Sequence, residues 1–190
     1  MKNFNKQSNR GFTMIEMLIA VFIFTLSLAA LMTISARGLR AANQAQKQVT
    51  ADYLALESIE GIRNMRDSAL LTGDGVNTWE DLFDNNDCWS DQDQGLVSGC
   101  AIVYGPAPSS EMLLYPCSGN GCSIFYNEGS YVYRQFEGGV PSGTYRDTGF
   151  DREIQFSQIP GNIRELVVTV IVTWGNNDRV EYTENLFLWL

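Results

Sequence analysis

An α+β fold is predicted: a long amino-terminal α-helix packed on an antiparallel β-sheet with disulfide-bonded loops. Three observations predict it. Residues Phe12 to Ala36 form an apolar run in which Glu16 is the one ionisable side chain. From Leu39 to Met65, apolar residues then recur at steps of three or four, which is helical periodicity. Beyond Gly99 the chain breaks into short β-branched and aromatic segments punctuated by glycine and asparagine, as strands and turns require.

The apolar run exceeds the roughly 20 residues that cross a bilayer as a helix, so it reads as membrane-spanning. A carboxylate at the centre of such a helix costs roughly 2.5–3.5 kcal/mol on insertion scales, so Glu16 near one end calls for a cationic partner. A secretory signal peptide is the first competing reading. Its apolar core is only about 7–15 residues and ends at a small-x-small site, which Ile34-Ser35-Ala36 matches poorly. An ordinary single-pass anchor is the second, and it would not require Gly11-Phe12 ahead of the acid. The leader Met1 to Gly11 holds Lys2, Lys6 and Arg10 and no acid, which orients the amino terminus to the cytoplasm and the remainder outside.

The helix is expected to continue past the membrane. Leu39, Ala42, Ala45, Val49, Tyr53, Leu56, Ile59, Ile62 and Met65 form the apolar stripe, with Arg40, Lys47, Asp52, Glu57, Glu60 and Arg63 mostly on other faces. No proline precedes Pro106, and Gly38 and Gly61 are the only glycines between Phe12 and Arg66. A continuous helix from Phe12 to Arg66 would run roughly 80 Å at about 1.5 Å per residue. The stripe from Val49 to Met65 is read as core, packed on the sheet.

From Asp67 to Gly99 the sequence is acidic and polar, and a long loop with one helical turn around Trp79 to Phe83 is expected. Strands are expected at Gly99–Tyr104, Met112–Tyr115, Ser123–Tyr126, Tyr131–Phe136, Glu153–Ser157, Glu165–Trp174 and Arg179–Trp189. Asn127-Glu128-Gly129 and Gly175-Asn176-Asn177-Asp178 read as hairpin turns, because glycine and asparagine tolerate positive φ. Leu166 to Val172 is β-branched and apolar, as expected of a central strand buried on both faces.

Cys88, Cys100, Cys117 and Cys122 all fall in the exterior part, where disulfides persist. Four cysteines allow three connectivities, of which local pairing, Cys88–Cys100 and Cys117–Cys122, closes the shortest loops. A zinc site is disfavoured because the chain has no histidine. The same absence removes the commonest general base near neutral pH, and no Gly-x-Ser-x-Gly elbow, phosphate loop or His-Glu metal motif occurs. An enzyme is therefore not expected, and an anchored hydrolase is the weakest of the functional readings. No cofactor is expected either. The least improbable ligand is calcium at Asp87, Asp91 and Asp93, although these lack the alternating acids, mid-loop glycine and distal glutamate of an EF-hand. A net charge of −9, with 22 acidic against 13 basic residues, argues against nucleic acid as a partner.

A short basic leader, Gly11-Phe12 and an acid at Glu16 before a long apolar helix resemble the amino-terminal signature of type IV prepilins and type II secretion pseudopilins. The resemblance implies that a prepilin peptidase cuts between Gly11 and Phe12 and that Phe12 is N-methylated. It also implies that Glu16 pairs with the amine of a neighbouring subunit during assembly, and that the partners are other pilin or pseudopilin subunits met through the helix. The chain lacks the proline that many major pilins carry around Ser27 to Ile34, which leans toward a minor pilin or pseudopilin. The expected organisation is a leader at 1–11, a transmembrane and assembly segment at 12–36, and an exterior domain at 37–190. The alternative is a membrane-anchored binding module that does not polymerise.

Overall fold

The computed structural model describes residues 11–72, 79–83, 88, 99–104, 112–117, 122–138, 141 and 143–188. It divides into two compact units, Met1–Gln46 and Lys47–Leu190. One helix, α1, runs Met14–Thr72. It continues beyond the expected end at Arg66 because Ser68-Ala69-Leu70-Leu71 contains good helix formers and Met65 and Leu70 pack against the core. The Thr72 hydroxyl closes its last turn on the carbonyls of Ser68 and Ala69. A second, one-turn helix, α2, occupies Trp79–Phe83, where the aromatic turn was expected.

Seven strands follow: β1 (Cys100–Tyr104), β2 (Met112–Pro116), β3 (Ser123–Asn127), β4 (Val132–Arg134), β5 (Tyr145–Ile159), β6 (Asn162–Trp174) and β7 (Asp178–Phe187). All pairings are antiparallel. β5 is the centre of the sheet. Along one edge it pairs with β6, which in turn pairs with β7; along the other it meets β3 and, further on, β1 at Cys100↔Ile154. β6 is thus an interior strand, but it buries one face only. Leu166, Val168, Val170, Val172 and Trp174 point into the core, while Val167, Thr169 and Ile171 stay half-buried on the outer face. Its β-branched residues suit a pleated, half-buried surface as well as a doubly buried one.

β5 begins eight residues before the expected Glu153, at Tyr145. Its first half is polar and interrupted by a bulge opposite Ile124 and Phe125, where Gly149 takes φ 71°. The turn after Trp174 forms as expected, with Gly175 and Asn177 both at positive φ. The β3–β4 turn is held by Asn127, whose Oδ1 accepts the N–H groups of Gly129 and Ser130. A third hairpin, unforeseen, joins β5 to β6 through Pro160-Gly161, with Gly161 at the positive φ (82°) of a type II turn.

In the unit from Lys47 onward, α1 packs its buried face on the sheet. That face is Ala51, Leu54, Ala55, Ser58, Ile59 and Ile62, at spacings of i, i+3, i+4, i+7, i+8 and i+11. Val49, Tyr53 and Leu56, read from sequence as core, are exposed, as is Leu39 further back along the helix. The expected stripe fails because its steps average well under 3.6 residues and so wind around the helix. At about 100° per residue, Tyr53 stands roughly opposite Ile62. The true face uses small residues, Ala51, Ala55 and Ser58, that let the sheet approach. α2 adds Trp79 and Phe83 to the core, and Phe83 lies 4.9 Å from Phe156, centroid to centroid.

Candidate functional site

The first candidate site is the start of α1. Thr13 is its N-cap: its carbonyl accepts from Glu16 N–H (3.1 Å) and Met17 N–H (3.3 Å). Glu16, three residues on, turns its carboxylate back so that Oε2 accepts from the Thr13 N–H at 3.4 Å and lies 3.5 Å from the Thr13 hydroxyl. This is the returning half of a capping box, and an acid in the first turn also matches the helix dipole. The Thr13-x-x-Glu16 spacing carries that signal in the sequence. The geometry sets the Glu16 carboxylate against the Phe12–Thr13 amide.

From Phe12 to Val49 the described chain is exposed throughout, Phe12 at 78 % and Phe24 at 63 %. The Met14–Thr72 helix contains a stretch long and apolar enough to cross a membrane, and none of that stretch is buried. Three of its hydroxyls bond back to the helix itself. Thr25 donates to the Phe22 carbonyl (2.8 Å), Ser27 to Ile23 (2.9 Å) and Thr33 to Ala29 (2.9 Å), which satisfies them inside an apolar surrounding.

The second region of interest is a polar cluster within the unit from Lys47 onward, for which no sequence pattern gave a signal. Arg152, on the core face of β5, is 2 % exposed. Its guanidinium donates to Gln135 Oε1 (3.0 Å), to the Leu54 carbonyl of α1 (3.1 Å) and to Glu57 Oε2 (2.9 Å). Gln135, also buried, donates onward to the carbonyls of Cys122 (2.8 Å) and Arg152 (2.7 Å) and accepts from the Ile102 N–H (3.2 Å). Tyr104 completes the set by donating to Glu57 Oε1 at 3.4 Å. Burial, and then the Glu57 carboxylate, push the Tyr104 phenol above its ordinary pKa. Nearby, Tyr182 donates to Asp52 (3.1 Å), a bond that raises its pKa, and Arg63 pairs with Glu184. These contacts tie helix to sheet, and no reacting group stands among them.

Cys88 is bonded to Cys100 (Cα–Cα 5.9 Å) and Cys117 to Cys122 (5.1 Å), both local pairs, and the first is buried in the core. The calcium candidates Asp87, Asp91 and Asp93 lie outside the described residues. Among the described residues no cluster of three His, Cys, Asp or Glu side chains could hold a metal ion.

The fold and the start of α1 together define a class: an α+β domain carried on one unburied, apolar, amino-terminal helix. Comparison with protein families narrows this class, because residues 6–32 match the prokaryotic N-terminal methylation motif. No curated protein and no solved structure matches the chain. The motif and the long apolar helix fit a type IV pilin-like protein processed as a prepilin, anchored in a membrane and destined for an extracellular filament. Such a motif points to a structural subunit rather than an enzyme.

Proposed function

We propose that this chain is a minor pilin or pseudopilin, a structural subunit of a type IV pilus or type II secretion-like filament. In this reading residues 1–11 are the leader, 12–36 the membrane and assembly segment and 37–190 the exterior domain. Prepilin peptidase cuts between Gly11 and Phe12, and Phe12 is N-methylated. The amino terminus starts in the cytoplasm and the domain outside, and other pilin-like subunits are met through the helix. The observation that carries the reading is the coincidence of the methylation motif with an apolar helix that its own fold leaves uncovered.

Glu16 has two partners to choose between in this account. Before assembly its carboxylate rests on the Thr13 N–H; in a filament the new Phe12 amine of a neighbour offers a full positive charge. The amine adds the attraction of a full opposite charge to a hydrogen bond, and a buried, unpaired carboxylate is costly, so the exchange favours correct register. Glu16→Ala is expected to be processed and inserted normally but to be depleted from filaments. A pull-down of sheared filaments from cells expressing the variant measures this, and wild-type incorporation would remove the role of Glu16. A membrane-anchored module that never polymerises is the alternative; it predicts a chain absent from the filament fraction whatever stands at position 16.

A further inference from the structure

Tyr53 on α1 and Tyr133 on the β3–β4 hairpin are both exposed and face one surface groove. It measures about 360 Å³ and is lined by Thr50, Tyr53, Leu54, Glu57 and Tyr133. Two aromatic rings and a carboxylate therefore converge on a surface that the domain does not cover. Glu57 already accepts from Tyr104 and Arg152, yet its side chain is 40 % exposed, and a carboxylate has acceptor sites for more than two donors. Such a lining suits a cation on a long aliphatic stem: the rings attract the charge through their π-faces and the stem covers apolar surface.

The same chain carries cations that lack a mate. Arg37, Arg40 and Lys47 are exposed on α1, and among the described residues none has an ion-pair partner. At about 100° per residue they fall within roughly 80° of one another around the helix, so they form one basic edge. Most of the acidic residues lie after Lys47, whereas residues 12–46 contain only Glu16. Two copies staggered along an axis would set the basic edge of one against the acidic domain of the other; two copies in line would oppose like charges.

We infer that the groove between Tyr53 and Tyr133 docks the basic edge Arg37–Arg40–Lys47 of a second copy of this chain. The inference rests on the filament-subunit reading and adds to it which surface of the exterior domain meets which part of a neighbour. Electrostatic matching of this kind sets register and excludes wrong alignments more than it adds affinity.

The test is photo-crosslinking of the full chain in cells that assemble filaments, with p-benzoylphenylalanine in place of Tyr53 or Tyr133. Sheared filaments are then analysed by mass spectrometry. The expected product is a chain–chain adduct mapping to the peptide that spans Arg37 to Lys47. The same probe at Ser157, on the outer face of β5, should give none. Combining the probe with Arg37→Glu, Arg40→Glu and Lys47→Glu should lower the adduct roughly tenfold. Incorporation into filaments with the adduct absent, mapping elsewhere, or formed only with a different protein overturns this docking and leaves the subunit reading standing. Exclusion of the unsubstituted chain from filaments overturns both.

Discussion

Within a single helix, the part richest in apolar residues buries none of them, while the part laced with charge supplies a core. Residues 14–46 of α1 are exposed throughout, and from Ala51 to Ile62 the helix buries six side chains, three of them no larger than alanine or serine. Hydropathy measures what a segment gains by leaving water, not what it leaves water for. At roughly 1.5–3 kcal/mol for each large apolar side chain covered, the exposed residues between Phe12 and Ile34 represent on the order of 20 kcal/mol or more of unrealised burial. A surface of that size marks a membrane or protein interaction site, since soluble monomers rarely expose one. Membrane anchoring and then assembly with pilin-like subunits are what the methylation motif implies. The buried face of the second half, Ala51 to Ile62, is covered instead by a sheet built from its own chain.

This contrast can be sharpened by attacking what holds the covered half. Arg152→Ala should have the larger effect. It removes one donor each from Gln135 Oε1, the Leu54 carbonyl and Glu57, and breaking a buried pair typically costs about 3–5 kcal/mol. Because Glu57 is partly exposed and can hydrate, the expected loss is at the low end, about 3 kcal/mol. Urea unfolding of the helix-and-sheet unit measures it, and no change in midpoint would show that the cluster does not join helix to sheet.

A smaller effect is expected from Tyr104. Folding holds its phenol neutral, so its folded pKa stands above the unfolded one. Its contribution is complete below the ordinary tyrosine value of about 10 and is lost as pH rises through the folded value. Thermal melts between pH 9 and pH 11.5 should show stability falling less steeply for Tyr104→Phe than for wild type. Identical slopes would contradict the burial of this hydroxyl against Glu57.

Much of this architecture was legible in the sequence, and the parts that were not share a cause. The helix, the turn at Gly175 to Asn177, the aromatic turn at Trp79 and most strands follow from local periodicity and turn chemistry. The helix face that is buried does not, because large residues such as Tyr53 and Leu56 outweigh Ala51 and Ala55 in any apolar pattern. Yet it is the small residues that let the sheet come close. The early half of β5 was hidden by a bulge at Gly149 and by polar residues at Asp147 and Asp151. Arg152 looked like a surface charge; only the partners brought by α1 and the segment after β4 make its burial possible. At the start of α1, the Gly11-Phe12 and Glu16 pattern was readable because it is local, and so was the Thr13 cap that went unused.

The claim that most needs testing is that the uncovered helix belongs to a processed filament subunit. Mass spectrometry of the chain co-expressed with a prepilin peptidase decides it. The account predicts a product beginning at N-methylated Phe12, with Met1 to Gly11 removed, and predicts that Gly11→Val stays unprocessed because a β-branched side chain crowds a site that accepts only hydrogen there. An intact amino terminus in the unsubstituted chain would contradict it.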